Sequence, residues 1–184
     1  SITDFDLDGN LDVFWTSIAA IGSSALKLYK NDGQGGFFEV SNPMGLGLGL
    51  TYGCCPIPGY THALVLDIND DKKPDADIHS IDWISPFNTW QDWTKLNTST
   101  NNSLKLRLSA CTGLSDGTAA SVSYKTGGEW FYQQFYPKTQ DNNQPFLYLG
   151  CGTNSIIDSL EIDWVGGAVS VYTGLSTGQY FVAV

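Results

Sequence analysis

Nine residues near the start of the chain have the side chains and the spacing of a site for a hard divalent cation. Within residues 4–12, carboxylates occupy the first, third, fifth and ninth positions and a glycine, Gly9, occupies the sixth. Alternate side chains of such a loop can converge on one centre, and Ca²⁺ takes about six to eight oxygen ligands in flexible geometry. The pattern predicts a calcium site whose ligands are the side chains of Asp4, Asp6, Asp8 and Asp12 and the backbone carbonyl oxygen of Asn10.

A second segment, residues 67–75, repeats this pattern and begins 63 residues after the first. Such a spacing is typical of repeated structural units. The second segment differs at Asn69, which removes one negative charge, and at Lys72, which stands where the first loop has glycine. A positive φ at a lysine costs about 1 kcal/mol or more. We therefore expect a second, weaker calcium site with these ligands: Asp67, Asn69, Asp71, Asp75 and the carbonyl oxygen of Lys73.

Motifs of catalysis are missing from the sequence. His62 and His79 are the only histidines, and the patterns of zinc proteases, serine hydrolases and phosphate-binding loops do not occur. Paired carboxylates can hydrolyse glycosides, but most of the acids here have calcium-loop spacing. The remaining loose candidates are Asp116, Asp141, Asp158 and Asp163, and nothing singles them out. We therefore expect a protein that is not an enzyme.

The cysteines and two acceptor triplets indicate an extracellular compartment. Cys54, Cys55, Cys111 and Cys151 have no CxxC spacing, which disfavours zinc. Cys111 and Cys151 each follow a predicted strand, so we expect a disulfide between them. Adjacent Cys54 and Cys55 can pair with each other only in a strained geometry, which leaves bridges to the second half of the chain or to another molecule. Asn97 and Asn101 begin N-glycosylation triplets, and two so close together suggest a secreted glycoprotein.

The overall charge excludes several classes of partner. Among 184 residues, 9 are Lys or Arg and 19 are Asp or Glu, for a formal net charge of -10. Such a chain is poorly suited to bind the phosphates of nucleic acids or an anionic membrane surface. No apolar stretch reaches the roughly 20 residues of a membrane span. Only three of the acids are Glu, and Gly is frequent, which favours strands and loops over helices.

Alternating hydrophobic and polar residues predict that the elements holding these sites are strands. In residues 103–109, three leucines fall on one face and Lys105 and Arg107 on the other. An Asn-Asp-Gly sequence at residues 31–33 predicts a hairpin. Trp15, Trp130 and Trp164 lie in similar runs, and we expect them in the core. The other predicted strands cover residues 11–15, 25–30, 36–40, 63–66, 120–124, 130–135, 146–149, 159–164, 168–172 and 179–184.

A change of composition near residue 100 predicts two regions. Residues 1–100 contain the acidic loops, and residues 101–184 contain regular strands and ordinary turns. Residues 83–102 are polar, so we expect a long loop or linker there. This segment carries Trp90 and Trp93, which either cover the junction between the regions or are exposed for ligand binding.

Both regions resemble known families. The two acidic loops resemble the FG-GAP, or VCBS, calcium repeats of integrin-like β-propellers, and residues 28–37 are similar to the hairpin that follows the loop in those repeats. From about residue 102 the chain resembles the ASPIC/UnbV domain, which follows such repeats in cartilage-acidic-protein-like secreted proteins. That resemblance is carried by residues 104–108, 117–122, 147–152 and 157–167, although the family's usual Trp-Pro-x-Gly turn is replaced at residues 164–167. We expect an all-β chain with incomplete propeller-like blades followed by a β-sandwich-like domain.

An incomplete propeller has consequences for function. A closed propeller needs about four to eight blades, whereas two loops supply fewer than two, and open sheet edges can pair with another chain. Either the chain is a fragment, or a neighbouring subunit covers the edge. We expect an extracellular, calcium-binding structural or adhesion protein that assembles into a fibre or matrix with copies of itself or other extracellular proteins. The alternative is a calcium-dependent, lectin-like carbohydrate-binding module in which Trp90 and Trp93 contact glycans.

Overall fold

The computed structural model describes residues 2–16, 26–40, 59–82, 90–109, 117–135 and 146–184. Every regular element in these residues is a β-strand, and none of their sheets closes on itself, which confirms the predicted fold class. The strands are β1 (Ile2–Thr3), β2 (Asp12–Thr16), β3 (Leu26–Asn31), β4 (Phe37–Glu39), β5 (Gly59–Leu66), β6 (Asp75–Asp82), β7 (Trp90–Lys95), β8 (Asn102–Leu108), β9 (Ser121–Thr126), β10 (Glu129–Gln134), β11 (Leu147–Gly152), β12 (Ile156–Asp163), β13 (Val169–Ser176) and β14 (Tyr180–Ala183).

The first sheet has the order β1-β2-β3-β4 and is antiparallel throughout. The first acidic loop connects β1 to β2, so its two ends are held by neighbouring strands. The predicted hairpin joins β3 to β4 and is confirmed by a hydrogen bond of 3.0 Å from Asp32 N to Gly36 O. Gly33 has the positive φ of 73° that favours glycine in such a turn.

The second sheet has the order β5-β6-β7, and the second acidic loop connects β5 to β6. The two loops therefore occupy equivalent positions, each between a pair of antiparallel strands. Strand β7 runs through the segment that the sequence predicted as a loop or linker, and that prediction was wrong for Trp90–Lys95. No period-two pattern occurs in this segment, because Trp90 and Trp93 are three residues apart, and the strand is defined by its pairing with β6.

The C-terminal region is a sandwich of two sheets, ordered β10-β9-β12-β13 and β11-β8-β14. Strands β14 and β8 are parallel, and the other pairs are antiparallel. The buried side chains between the sheets include Leu104, Leu106 and Leu108, as the alternation in β8 predicted. Lys105, expected on the solvent face, is also buried. It is buried because the second acidic loop lies against that face of β8, as its ion pair with Asp67 shows.

Two of the three tryptophans expected in the core are exposed. Trp15 keeps 56% and Trp130 keeps 51% of its surface in solvent, so those two predictions were wrong. Trp164 packs against the core, and its Nε1 donates a hydrogen bond of 2.9 Å to Ser170 Oγ. The alternating pattern places Trp15 and Trp130 on one face of a strand, but which face is buried depends on the sheet packed against it.

The predicted disulfide between Cys111 and Cys151 is contradicted by the state of Cys151. Its thiol is free and buried in the sandwich core, and Sγ lies 3.4 Å from Leu149 O. The side chain points inward on β11, where it packs as a small apolar group. Cys111, Cys54 and Cys55 lie outside the described residues, so the other pairings stay predictions.

Candidate metal centre

The first acidic loop folds around the carboxylate of Asp4. Asp4 Oδ1 accepts a hydrogen bond from Asp8 N (3.1 Å), and Asp4 Oδ2 accepts one from Gly9 N (2.8 Å). Gly9 has a φ of 101°, as expected for the turn glycine, and Leu7 has a φ of 63°, which the sequence did not indicate. These hydrogen bonds turn the loop so that the side chains at its first, third and fifth positions converge.

Three of the four predicted carboxylates meet in the first loop. Oxygen atoms of Asp4, Asp6 and Asp8 lie within 4.8 Å of one another, and we call this group the first cage. Asp6 is only 8% exposed, and its Oδ1 is buried without a hydrogen-bond partner among the described residues. A buried carboxylate oxygen that lacks a donor is costly, so the cage offers a ligand atom that fits a hard cation.

The remaining predicted ligands of the first loop have other contacts. Asp12 Oδ2 accepts a hydrogen bond from Phe5 N (2.9 Å), and Asp12 Oδ1 accepts one from Asn31 N (3.0 Å). Asn10 donates through its N (2.8 Å) and Nδ2 (3.0 Å) to Asp8 Oδ1. Asp12 thus ties the loop to β3, and coordination by Asp12 or by the carbonyl of Asn10 stays a prediction.

The second acidic loop has the same backbone hydrogen bonds as the first. Asp67 Oδ1 accepts from Asp71 N and Asp67 Oδ2 from Lys72 N, both at 3.0 Å. Asp70 and Lys72 have φ values of 59° and 69°, at the positions equivalent to Leu7 and Gly9. Lys72 therefore adopts the strained conformation predicted from its place in the repeat. Oxygen atoms of three side chains lie within 4.8 Å and form what we call the second cage: Asp67, Asp71 and Asp75.

The other predicted ligands of the second loop fill hydrogen-bonding roles. Asn69 donates through Nδ2 to Asp71 Oδ2 (3.2 Å), and Lys73 N donates to Asp71 Oδ1 (3.0 Å). Asp75 accepts from Ile68 N (2.8 Å) and Asn97 N (2.7 Å), as Asp12 does in the first loop. Asn69 Oδ1 also accepts from Asp71 N (3.2 Å), so Asn69 borders the carboxylate cluster. Coordination by Asn69 or by the carbonyl of Lys73 stays a prediction.

Burial and lysines shape the electrostatics of both cages. Burial raises the pKa of Asp4, and it raises the pKa of Asp12 to about 6 although two backbone donors oppose the shift. Lys30 contacts Asp6 and lies 3.0 Å from Asp8 Oδ2. Burial alone would lower the pKa of Lys30, but its hydrogen bonds to the two carboxylates outweigh burial and raise it. In the second cage, Lys105 Nζ lies 2.7 Å from Asp67 Oδ2.

The asparagines of the two predicted glycosylation triplets contact the acidic loops, and Asn97 connects the two loops to each other. Asn97 is 6% exposed, and its Nδ2 donates to Phe5 O (2.6 Å) and Pro74 O (3.0 Å), which belong to different loops. Asn101 Nδ2 donates to Asp6 O (2.8 Å). Nδ2 is the atom that a glycan would modify, and a glycosylated amide keeps only one N–H. Asn97 is buried and uses both of its N–H groups, so its contacts are incompatible with a glycan. Asn101 donates one hydrogen bond through Nδ2, and its glycosylation stays a prediction.

The Asn-x-Ser spacing is also that of a local turn, and this turn could have indicated the structural role of Asn97. Ser99 N donates to Asn97 Oδ1 (2.9 Å), which forms the turn that asparagine favours two residues before a backbone donor. Ser99 Oγ also donates to Asp6 O (2.8 Å). The Asn-x-Ser sequence therefore forms a local turn at Asn97 and Ser99, and this turn places Asn97 between the two loops.

The first loop also packs against the sandwich. Gly152 N donates to Leu7 O (2.8 Å), and a Cβ at Gly150 would overlap Asp4 Oδ2 and lie 2.5 Å from the Leu7 carbonyl carbon. A Cβ at Gly9 would lie 2.7 Å from Phe131 Cζ. Sequence reasoning did not foresee this contact, because nothing in a glycine's neighbourhood along the chain indicates what approaches it in space.

The other candidate residues are dispersed. Trp90 and Trp93 lie on β7, but their side chains are outside the described part of the structure, so the lectin-like alternative stays a prediction. Asp158 is exposed in the middle of β12 and Asp163 is exposed at its end. Asp116 and Asp141 lie outside the described residues.

Comparison with known proteins agrees with these two regions. The fold and loops define an all-β chain in which a repeat with acidic loops precedes a sandwich. A family model described as an FG-GAP-like repeat matches residues 4–76, and one described as ASPIC and UnbV matches residues 112–183. The chain is thus an FG-GAP-like repeat followed by an ASPIC/UnbV domain, which confirms both predicted resemblances.

Two further findings accompany this assignment. No curated protein matches the chain. FG-GAP repeats are typical of extracellular proteins, and the described residues contain no helix that is long and apolar enough to span a membrane.

Proposed function

We propose that this chain is a secreted, non-enzymatic structural protein that binds Ca²⁺ at its first acidic loop. The observation that carries this proposal is the buried Oδ1 of Asp6, which has no hydrogen-bond partner among the described residues and lies in a cluster of three carboxylates. A bound divalent cation would satisfy this atom and remove the repulsion between neighbouring carboxylates.

The chemistry of the first cage favours Ca²⁺ over other divalent ions. All of its candidate ligands are oxygens, as hard cations prefer, and no histidine or thiol is part of the cluster. Mg²⁺ demands a stricter octahedron and keeps more of its water. Asp4, Asp6 and Asp8 would hold the ion, which would supply charge neutralisation and rigidity rather than reactivity.

The contacts around the first cage support a structural role for the ion. The loop that would hold it packs against Gly150 and Gly152 of the sandwich and against Asn97. Ion binding would therefore stiffen the junction between the repeat and the ASPIC/UnbV domain.

The open sheets support assembly as part of this proposal. Each sheet ends in edge strands, and edge strands present backbone groups that can pair with another chain. Exposed apolar side chains on edge strands include Phe37 and Phe38 on β4 and Val169 and Val171 on β13. Copies of the same chain, or other extracellular proteins, are the proposed partners.

Removal of the ion tests this proposal. An ion at about 100 times its Kd stabilises the native state by about 3 kcal/mol, which corresponds to a fall in Tm of about 5–10 °C for a chain of this size when EDTA is added. Asp6→Asn should abolish the response to EDTA. Asp158→Asn, which changes an exposed carboxylate outside both loops, should keep it.

The same samples test assembly by sedimentation velocity. We expect larger species in Ca²⁺ than in EDTA, because the ion stiffens the strands that present the edges. If EDTA changes neither Tm nor the sedimentation coefficient, the proposed function is wrong.

A further inference from the structure

The two cages differ in what neutralises them. In the second cage every carboxylate oxygen already accepts a hydrogen bond. The donors to Asp71 and Asp75 are the backbone N atoms of Lys73, Ile68 and Asn97 and the side-chain amide of Asn69. Asp67 accepts from Asp71 N, Lys72 N and Lys105 Nζ. The first cage, by contrast, leaves the buried Oδ1 of Asp6 without a donor.

The lysine of the second cage is enclosed. Lys105 belongs to β8 of the sandwich, and its side chain is 11% exposed where it pairs with Asp67, whose side chain is 1% exposed. The ammonium also lies 4.7 Å from the centre of the Phe146 ring, at the distance of a cation–π contact. If the Lys105 ammonium moved away from Asp67, it would lose its carboxylate partner without gaining full access to water, which is unfavourable.

The lysine of the first cage is less constrained. The Lys30 side chain is 25% exposed, and it extends from β3 to Asp6 and Asp8. An incoming cation can displace such a group toward solvent at a small cost, because the ammonium exchanges carboxylates for water. The first loop has a fourth carboxylate, Asp12, in addition to the three of its cage. In the second loop the equivalent residue, Asp75, is one of the three carboxylates of the cage itself.

We propose that Lys105 is the resident cation of the second cage, so that the folded chain binds Ca²⁺ at the first cage and not at the second. This inference rests on the proposed function, since it assigns the ion to one of two related loops. The ion pair of Lys105 with Asp67 then joins the repeat to the sandwich whether or not Ca²⁺ is present, whereas the junction at the first cage depends on Ca²⁺.

Equilibrium dialysis with Ca²⁺ alone tests the assignment on the intact chain. At free Ca²⁺ up to about 1 mM, the upper range for extracellular calcium modules, we expect one bound ion per chain. Asp6→Asn should remove that ion. Asp71→Asn, a change of an exposed carboxylate of the second cage, should leave it in place.

Removal of the lysine provides the complementary test. Lys105→Gln keeps a polar side chain that is one bond shorter and removes its charge, so the second cage should gain an ion and the bound number should rise to two. The affinity of this new site should exceed that of the wild-type second cage by more than about tenfold, because a positive charge a few ångströms away is lost.

Each outcome bears on one of the two proposals. Wild-type protein that binds no ion would overturn the proposed function. Two ions on wild-type protein, with one lost in Asp71→Asn, would overturn the role of Lys105 while leaving calcium binding intact. If Lys105→Gln does not fold, the comparison of wild type with Asp71→Asn still decides the question.

Discussion

At the scale of single residues, the first cage depends on a glycine of the sandwich as well as on its own carboxylates. Gly150 has no side chain, and for that reason the carboxylate of Asp4 and the backbone of Leu7 can approach β11. Tyr124 OH donates to Gly150 O (3.0 Å) and fixes the strand at this point. The sandwich thus presents backbone atoms, without a side chain at Gly150, to the first acidic loop.

Gly150→Ala should destabilise the chain by about 3 kcal/mol or more, because the added methyl overlaps Asp4 Oδ2 and the Leu7 backbone, and a packed contact of this kind cannot relax without moving the loop. Gly152→Ala is the matched control. Its φ of 55° costs about 1 kcal/mol for alanine, but no atom lies within 4 Å of the new Cβ. Urea denaturation measures both; equal losses would contradict the proposed contact.

At the scale of elements, two loops and the strand end after β7 form one unit. Asn97 follows β7 and donates to a carbonyl of each loop, while its backbone N donates to Asp75. The two acidic loops are therefore coupled through a single side chain, although they lie in different sheets. Strand β7 ends two residues before Asn97 and is paired with β6, so the chain enters this contact from a sheet.

Asn97→Ala should reduce the free energy of unfolding by about 2–4 kcal/mol, since two buried carbonyls lose their donor. Asn101→Ala provides the comparison, because its acceptor, Asp6 O, keeps the hydrogen bond from Ser99 Oγ. The loss at Asn101 should stay below about 1 kcal/mol. A chemical denaturation series in EDTA would detect the difference, and a larger effect at Asn101 would refute the central place given to Asn97.

At the scale of the whole molecule, the sandwich that the acidic loops contact is held together by one core. Its buried side chains come from β8, β9, β11, β12 and β14, so the two sheets share one core. The free thiol of Cys151 lies in this core, and burial raises its pKa to about 12. A thiol in the unfolded chain ionises near pH 8.5.

The pH dependence of global unfolding follows from this difference. The folded state keeps the Cys151 proton while the unfolded state loses it, so stability is complete below about pH 8.5 and falls as the pH rises toward 12. The slope approaches about 1.4 kcal/mol per pH unit. Cys151→Ala should remove this slope between about pH 8.5 and 9.5, below the ionisation of tyrosine. Thermal melts of both proteins across that interval measure it, and an unchanged slope would show that Cys151 is accessible.

Much of the local architecture could be predicted from the residues in order along the chain. Carboxylate spacing identified both loops, and the equivalent φ values of Gly9 and Lys72 agree with their common place in the repeat. Alternation identified the strands of the sandwich, including the buried leucines of β8. These features depend on neighbours a few residues apart, and local sequence contains that information.

Tertiary structure alone decided which polar residues support the loops and which tryptophans are buried. Lys105 reaches Asp67 across 38 positions, Asn97 reaches Phe5 across 92, and Gly152 meets Leu7 only because a sandwich strand passes over the loop. Alternation states that a strand has two faces, but burial of one face depends on what folds against it. Trp15 and Trp130 are exposed for this reason, whereas Lys105 is buried beside an acidic loop that supplies its counter-charge.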